Sequence, residues 1–126
     1  MTVFEEISDI LSELLDVDAE AIGPQSYLVR DLDVESIDFL ELAVAMNERF
    51  GIEVRDDTVF LRNLRLHLTE VSEGRIEALE HLKRVYPHLS DARLEAILRD
   101  LEGGPVIQVR DLECYIQWQK RSTRAA

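Results

Sequence analysis

Apolar residues recur at helical rather than strand spacing along most of the chain. Val3, Phe4, Ile7, Ile10, Leu11, Leu14 and Leu15 fall on one side of a first helix. It starts at a capping box, Thr2-Val3-Phe4-Glu5, where the threonine hydroxyl accepts from the Glu5 amide and the glutamate reaches back, and it ends near Asp16. From about Asp16 to Glu35 the periodicity lapses into a loop with a Gly23-Pro24 turn signal, and Ile22, Tyr27, Leu28 and Leu32 are available to pin it to a core. A loop of that length on a small domain is functional or firmly packed. The helical pattern returns from about Ser36 to Phe50 and stops at Gly51, a residue suited to the left-handed position after a helix.

Further along, Asp57 to Leu66 reads as helical, although the Leu64, Leu66, Leu68 alternation leaves a short strand open. Ser72 through Tyr86 carries Ile76, Leu79, Leu82 and Val85 at helical spacing and is closed by Pro87. Ser90 caps a segment with Leu94, Ile97, Leu98 and Leu101, which Gly103-Gly104-Pro105 terminates. A last helix spans about Val109 to Gln119 with Leu112, Tyr115, Ile116 and Trp118 inward, and residues from Arg121 to Ala126 read as a frayed end. The expected fold is all-α: five or six helices around one core.

The helix from Ser36 to Phe50 is unusual in having two apolar stripes. At about 100° per residue, Phe39, Leu42, Ala43, Met46 and Phe50 fall on one side, while Ile37, Leu40 and Val44 fall nearly opposite, with Glu41 and Glu48 beside them. One stripe is core; the other needs a cover, which is either the helices between residues 58 and 102 or another protein. An apolar strip edged by carboxylates suits transient docking of a basic, partly apolar surface.

Charge sharpens that reading. The chain of 126 residues has a net charge of −12, yet its first 54 residues hold fourteen acidic and two basic side chains, and the remainder is neutral. A partner drawn by charge would be steered to the first half. So acidic a protein is opposed to nucleic acid and to anionic membrane. No apolar run approaches a bilayer span and the first residues lack the features of a signal peptide, so a cytoplasmic monomer is expected. A single cysteine, Cys114, allows no internal disulfide.

Ser36 follows the acidic loop Asp31-Leu32-Asp33-Val34-Glu35. Serine is a preferred N-cap, and the same place leaves a hydroxyl on the surface at a helix start, open to modification. The run from Asp31 to Leu42, Asp-Leu-Asp-Val-Glu-Ser-Ile-Asp-Phe-Leu-Glu-Leu, resembles the acyl carrier protein family, whose modified serine follows Asp-Leu-Gly-x-Asp and precedes Leu-Asp-x-x-Glu-Leu. The resemblance extends through the first helix, on to Phe50-Gly51-Ile52-Glu53-Val54, and resumes at Val109 to Ile116. It implies that a phosphopantetheinyl transferase attaches 4′-phosphopantetheine to Ser36, and that the arm then holds acyl groups as thioesters in fatty-acid, lipid or polyketide-type biosynthesis. It also implies that the protein catalyses nothing itself. By the same resemblance, Glu35, Asp38, Glu41 and Glu48 would meet basic docking patches on synthases and acyltransferases, and Ile37, Leu40 and Val44 would supply apolar contacts.

The sequence departs from the family pattern in four places. Glu35 replaces the usual Asp, Asp33 stands at the usual Gly, and Asn47 stands where an acid is common. The fourth departure is large: one carrier domain, 1–126, is expected to have carrier-like parts at 1–57 and 108–119 with a helical insertion at about 58–107. The insertion is expected to shape an acyl groove or present a surface to one dedicated enzyme, as against a stabilising appendage. A non-catalytic interaction module without the modification, or a peptidyl carrier, are the competing functions. His67, His81 and His88 show no metal-ligand spacing and are set aside, as is any catalytic set around Ser36.

Overall fold

The computed structural model describes residues 1–70 and 74–125. Among the described residues there are seven α-helices: α1 (Val3–Leu15), α2 (Ser36–Phe50), α3 (Asp56–Val59), α4 (Leu64–Thr69), α5 (Arg75–Val85), α6 (Asp91–Asp100) and α7 (Val109–Ala125). Single 3₁₀ turns stand at Ala19–Ala21 and Leu101–Gly103. The all-α expectation holds, with more helices than anticipated. The carrier-like parts come together with α1 packed between α2 and α7, while α5 pairs with α4 on one side and α6 on the other. Ile7, Leu11, Leu42, Met46, Leu112 and Ile116 are fully buried and join Leu82, Leu94 and Ile97 of the later helices in one core.

Local chemistry sets most of the boundaries. Thr2 Oγ1 accepts from Glu5 N at 3.1 Å and Thr2 N donates to Glu5 Oε1 at 3.2 Å, completing the anticipated box. These bonds hold the Glu5 carboxyl below its ordinary pKa. Gly51 closes α2 at φ +62°, and Ser90 caps α6 by accepting from Arg93 N at 3.1 Å.

Two segments differ from their expected form. The continuous helix over 57–66 is instead α3 and α4, separated by a turn in which Leu61 adopts φ +55°. Val59, Phe60, Leu61 and Leu64 are all buried, and at about 100° per residue they would spread over some 200° of a single helix. Breaking the helix lets all four face the core; burying Leu61 gains about 1.5–3 kcal/mol, which offsets a left-handed cost of about 1–2 kcal/mol. At the other end, α7 continues to Ala125 rather than fraying from Arg121. No Gly or Pro interrupts it, and Lys120 and Arg121 are good helix formers that favour the negative end of the dipole. Ser72, placed in the following helix by its sequence, lies outside the described residues, as does Ala126.

A buried ion pair joins α6 to α7. Arg93 donates from Nε to Asp111 Oδ1 at 2.7 Å and from Nη2 to Asp111 Oδ2 at 2.8 Å, and Nη2 also reaches the Val106 carbonyl at 2.9 Å. Asp111 is fully buried, and it accepts the Gln108 amide at 2.9 Å at the start of α7. Nearby, the His88 imidazole is enclosed by the rings of Tyr86, Tyr115 and Trp118, at centroid distances of 6.3, 5.3 and 6.3 Å. Neither of its nitrogens has a partner among the described residues. Burial lowers its pKa to about 4, the Asp111 charge opposing this only in part. Burial likewise raises the Tyr86 hydroxyl to about 12, helped by the Asp57 charge.

Candidate functional site

The loop before α2 is held at several points. Tyr27 N donates to Asp31 Oδ2 at 2.8 Å, Val34 N to the Leu28 carbonyl at 3.0 Å, and Leu28 N to the Ile107 carbonyl at 3.1 Å. Val109 N and Arg110 N donate back to Ser26 and Pro24, so the loop and the approach to α7 form a short antiparallel contact at Tyr27 and Gln108. Ile22, Leu28 and Val34 are buried, which confirms Ile22 and Leu28 as pins; Tyr27 and Leu32 are half-buried. Asp33, standing where the resembling family has glycine, takes φ +56°. Aspartate tolerates this conformation better than most residues.

The far end of α6 completes the clamp. Tyr27 Oη donates to Asp100 Oδ2 at 2.6 Å, and Arg30 Nη1 lies 3.0 Å from Asp100 Oδ1. Arg30 Nη2 also reaches the carbonyls of Asp100 and Gly104, and the guanidinium lies 4.2 Å from the Tyr27 ring centroid. The Tyr27 hydroxyl first, then Arg30, hold the Asp100 carboxyl below its ordinary pKa. Phe60 meets Phe39 of α2 at a centroid distance of 4.9 Å. Residues of the 58–107 segment therefore touch both the loop and α2.

Ser36 is not the N-cap that its residue type suggests. Glu35 is the cap, with its amide donating to Asp38 Oδ2 at 2.9 Å, and Ser36 is the first helical residue. Its hydroxyl is consequently released from capping: Ser36 is exposed and makes no side-chain hydrogen bond among the described residues. The positive end of the α2 dipole lies at this hydroxyl.

From Ser36 the apolar strip runs along α2. Ile37, Leu40 and Val44 are 61%, 54% and 57% exposed, and Glu35, Glu41 and Glu48 are exposed beside them, with Asp38 half-buried. The opposite stripe faces inward, Leu42 and Met46 fully and Phe39, Ala43 and Phe50 partly. Of the two covers open for the strip, the helices after residue 58 do not provide one among the described residues. Val44, Glu41 and Glu48 also border an open groove of ≈ 580 Å³ between α1 and α2, lined further by Ile10, Glu13 and Arg49. Arg49 is engaged there by Glu6 at 3.5 Å and Asp9 at 3.6 Å. A second groove, ≈ 280 Å³, lies between Phe60, Leu61 and Arg65 on one side and Leu101, Val106 and Ile107 on the other.

Cys114 is half-buried on α7, where burial, followed by the charges of Asp111 and Glu113, raises its thiol pKa. That is the opposite of an activated thiol. Sequence spacing separates His67 from His81, but the fold brings both to Glu70, a grouping not anticipated above. No helix among the described residues is long and apolar enough to cross a membrane.

Comparison with known proteins bears on the same segment. A family model described as a phosphopantetheine attachment site matches residues 5–65. An acyl carrier protein of Helicobacter pylori (strain G27) is 40% identical over 57 residues, covering 45% of this chain and 73% of that protein. One from Nitratidesulfovibrio vulgaris is 47% identical over 57 residues, 45% of this chain and 75% of its own length. Acyl carrier protein AcpXL of Rhizobium meliloti is 30% identical over 92 residues, 71% of this chain and 88% of its own, so that match reaches well beyond the 57-residue ones. With a matching attachment region and relatives covered over most of their length, the chain belongs to the acyl carrier protein family, whose members carry their cargo on 4′-phosphopantetheine rather than catalyse.

Proposed function

We propose that Ser36 bears the 4′-phosphopantetheine arm and that the protein carries acyl intermediates as thioesters in fatty-acid, lipid or polyketide-type biosynthesis. The observation that carries this reading is the free, exposed hydroxyl of Ser36 at the first position of α2, directly after a firmly held loop. A transferase needs that hydroxyl as nucleophile toward the phosphate of coenzyme A: the serine oxygen forms the new phosphoester, the adenosine 3′,5′-bisphosphate leaves, and the serine proton goes to the transferase or solvent. An oxygen committed to capping would be a poorer nucleophile.

The strip of Ile37, Leu40 and Val44, edged by Glu35, Asp38, Glu41 and Glu48, is the docking face for the transferase and for synthases and acyltransferases with basic patches. Its support is the exposure of three aliphatic side chains that a solvated helix does not require, together with a first half whose charge steers cationic surfaces. We further read residues 1–126 as one carrier domain, with 1–57 and 108–119 as frame and 58–107 as insertion. The Tyr27 and Arg30 contacts to Asp100 support a role for the insertion in setting the loop that presents Ser36.

Intact mass, measured before and after incubation of the unmodified protein with coenzyme A, Mg²⁺ and its host's phosphopantetheinyl transferase, tests the assignment. One phosphopantetheinyl group should be gained by the wild type and none by Ser36→Ala. No gain by folded wild-type protein, or an equal gain by Ser36→Ala, overturns it.

A further inference from the structure

The helices between residues 58 and 107 assemble three donors for which carriage of an acyl group has no use. His67 lies on α4, Glu70 at its end and His81 on α5. A Glu70 carboxylate oxygen is 3.9 Å from His67 Nδ1 and 3.5 Å from His81 Nε2, and one donor atom from each residue lies within 4.8 Å of the others. Both of these ring nitrogens are shut off from solvent and lack a hydrogen-bond partner among the described residues. The two imidazole nitrogens and the carboxylate thus face one another across gaps longer than a well-formed hydrogen bond, a space that ring protons or a single cation can fill.

We propose that His67, Glu70 and His81 form a binding site for a divalent transition-metal ion of the Zn²⁺ class. Two imidazoles and one carboxylate suit zinc and its neighbours, whereas Ca²⁺ and Mg²⁺ take oxygen donors throughout. A tetrahedral zinc with bonds near 2.0–2.1 Å places its donors about 3.3 Å apart. The Glu70 distances of 3.5 and 3.9 Å stand near that value, and metal binding would draw in the donors, which lie within 4.8 Å of one another. Three protein donors leave one position for water. The ion would tie α4 to α5, and so fix the helix pair that exposes Leu66 and Ile76.

The test uses the full chain with Ser36→Ala, so that no thiol on an arm competes for metal and the outcome is independent of the carrier assignment. After metal removal, Co²⁺ should saturate at one equivalent and give the visible absorption of a tetrahedral site, and Zn²⁺ should displace it. His67→Gln, Glu70→Gln and His81→Gln should each weaken binding at least tenfold, since loss of even an outer-sphere partner costs roughly 10–100-fold. Glu80→Gln, an exposed carboxylate on α5 outside the cluster, should not. Without any change to the cluster, the ring protons of His67 and His81 should be paramagnetically shifted by bound Co²⁺. Absence of one-equivalent binding, unshifted rings, or undiminished binding in folded His67→Gln/His81→Gln protein overturns the proposal.

Discussion

Replacing Asp111 by leucine should show whether the later helices and the carrier-like frame fold as one unit. The substitution removes both carboxylate bonds to Arg93, at 2.7 and 2.8 Å, and the acceptor of the Gln108 amide. Arg93, 8% exposed, is left as a buried cation with only the Val106 carbonyl. Breaking one partner of such a pair costs about 3–5 kcal/mol, and the orphaned amide adds about 1 kcal/mol. That is a large part of the total for a domain whose stability is of order 5–15 kcal/mol. Urea unfolding followed by Trp118 fluorescence and by far-ultraviolet circular dichroism measures it. In the wild type both probes should give one coincident transition, displaced to lower urea in Asp111→Leu. Adding Arg93→Met should recover most of the loss, because the buried charge goes with its partner, giving a coupling above about 2 kcal/mol. A loss below about 1 kcal/mol in Asp111→Leu, or two separated transitions in the wild type, would refute the reasoning.

Acid should act through His88. Its pKa is about 4 when folded against an ordinary 6.5, so the unfolded chain binds the proton first as pH falls. The stabilisation is fully present above pH 6.5 and lost between 6.5 and 4, by about 3 kcal/mol; His88→Phe should flatten the stability–pH curve across that window, and an unchanged slope counts against a buried neutral imidazole. At Asp33, with φ +56°, Asp33→Gly should be neutral or mildly stabilising, while Asp33→Val should lose about 1–2 kcal/mol in the same urea assay. Equal stability of the two variants would contradict the left-handed assignment.

What the sequence disclosed and what it withheld divide by distance along the chain. The two stripes of α2, the stop at Gly51, the Thr2 box and the tolerance of Asp33 for a glycine's conformation are properties of a few adjacent residues, and all could be read directly. Even the misplaced cap is local: Asp38 bonds the Glu35 amide, so the box starts one residue before Ser36. By contrast, Arg30 and Asp100 are separated by 70 residues, and Arg93 and Asp111 by 18. Nothing in spacing pairs them. His67 and Glu70 share a helical turn and offered half a signal, but His81 joins them only through the pairing of α4 with α5. The break at Leu61 was equally hidden, since it arises from competition among four buried side chains for the same core.

The clamp on the loop before α2 also has an entropic consequence. Ordering one residue's backbone costs about 1–2 kcal/mol, and a floppy approach to Ser36 would incur that cost at every encounter. Here Leu28, Val34, Tyr27 and Arg30 are already fixed by Ile107, by one another and by Asp100. On the Ser36 assignment proposed above, the cost is met once, in folding, and not again with each visiting enzyme. Brief associations can then be productive without being tight, which lets a carrier leave one partner quickly enough to serve the next.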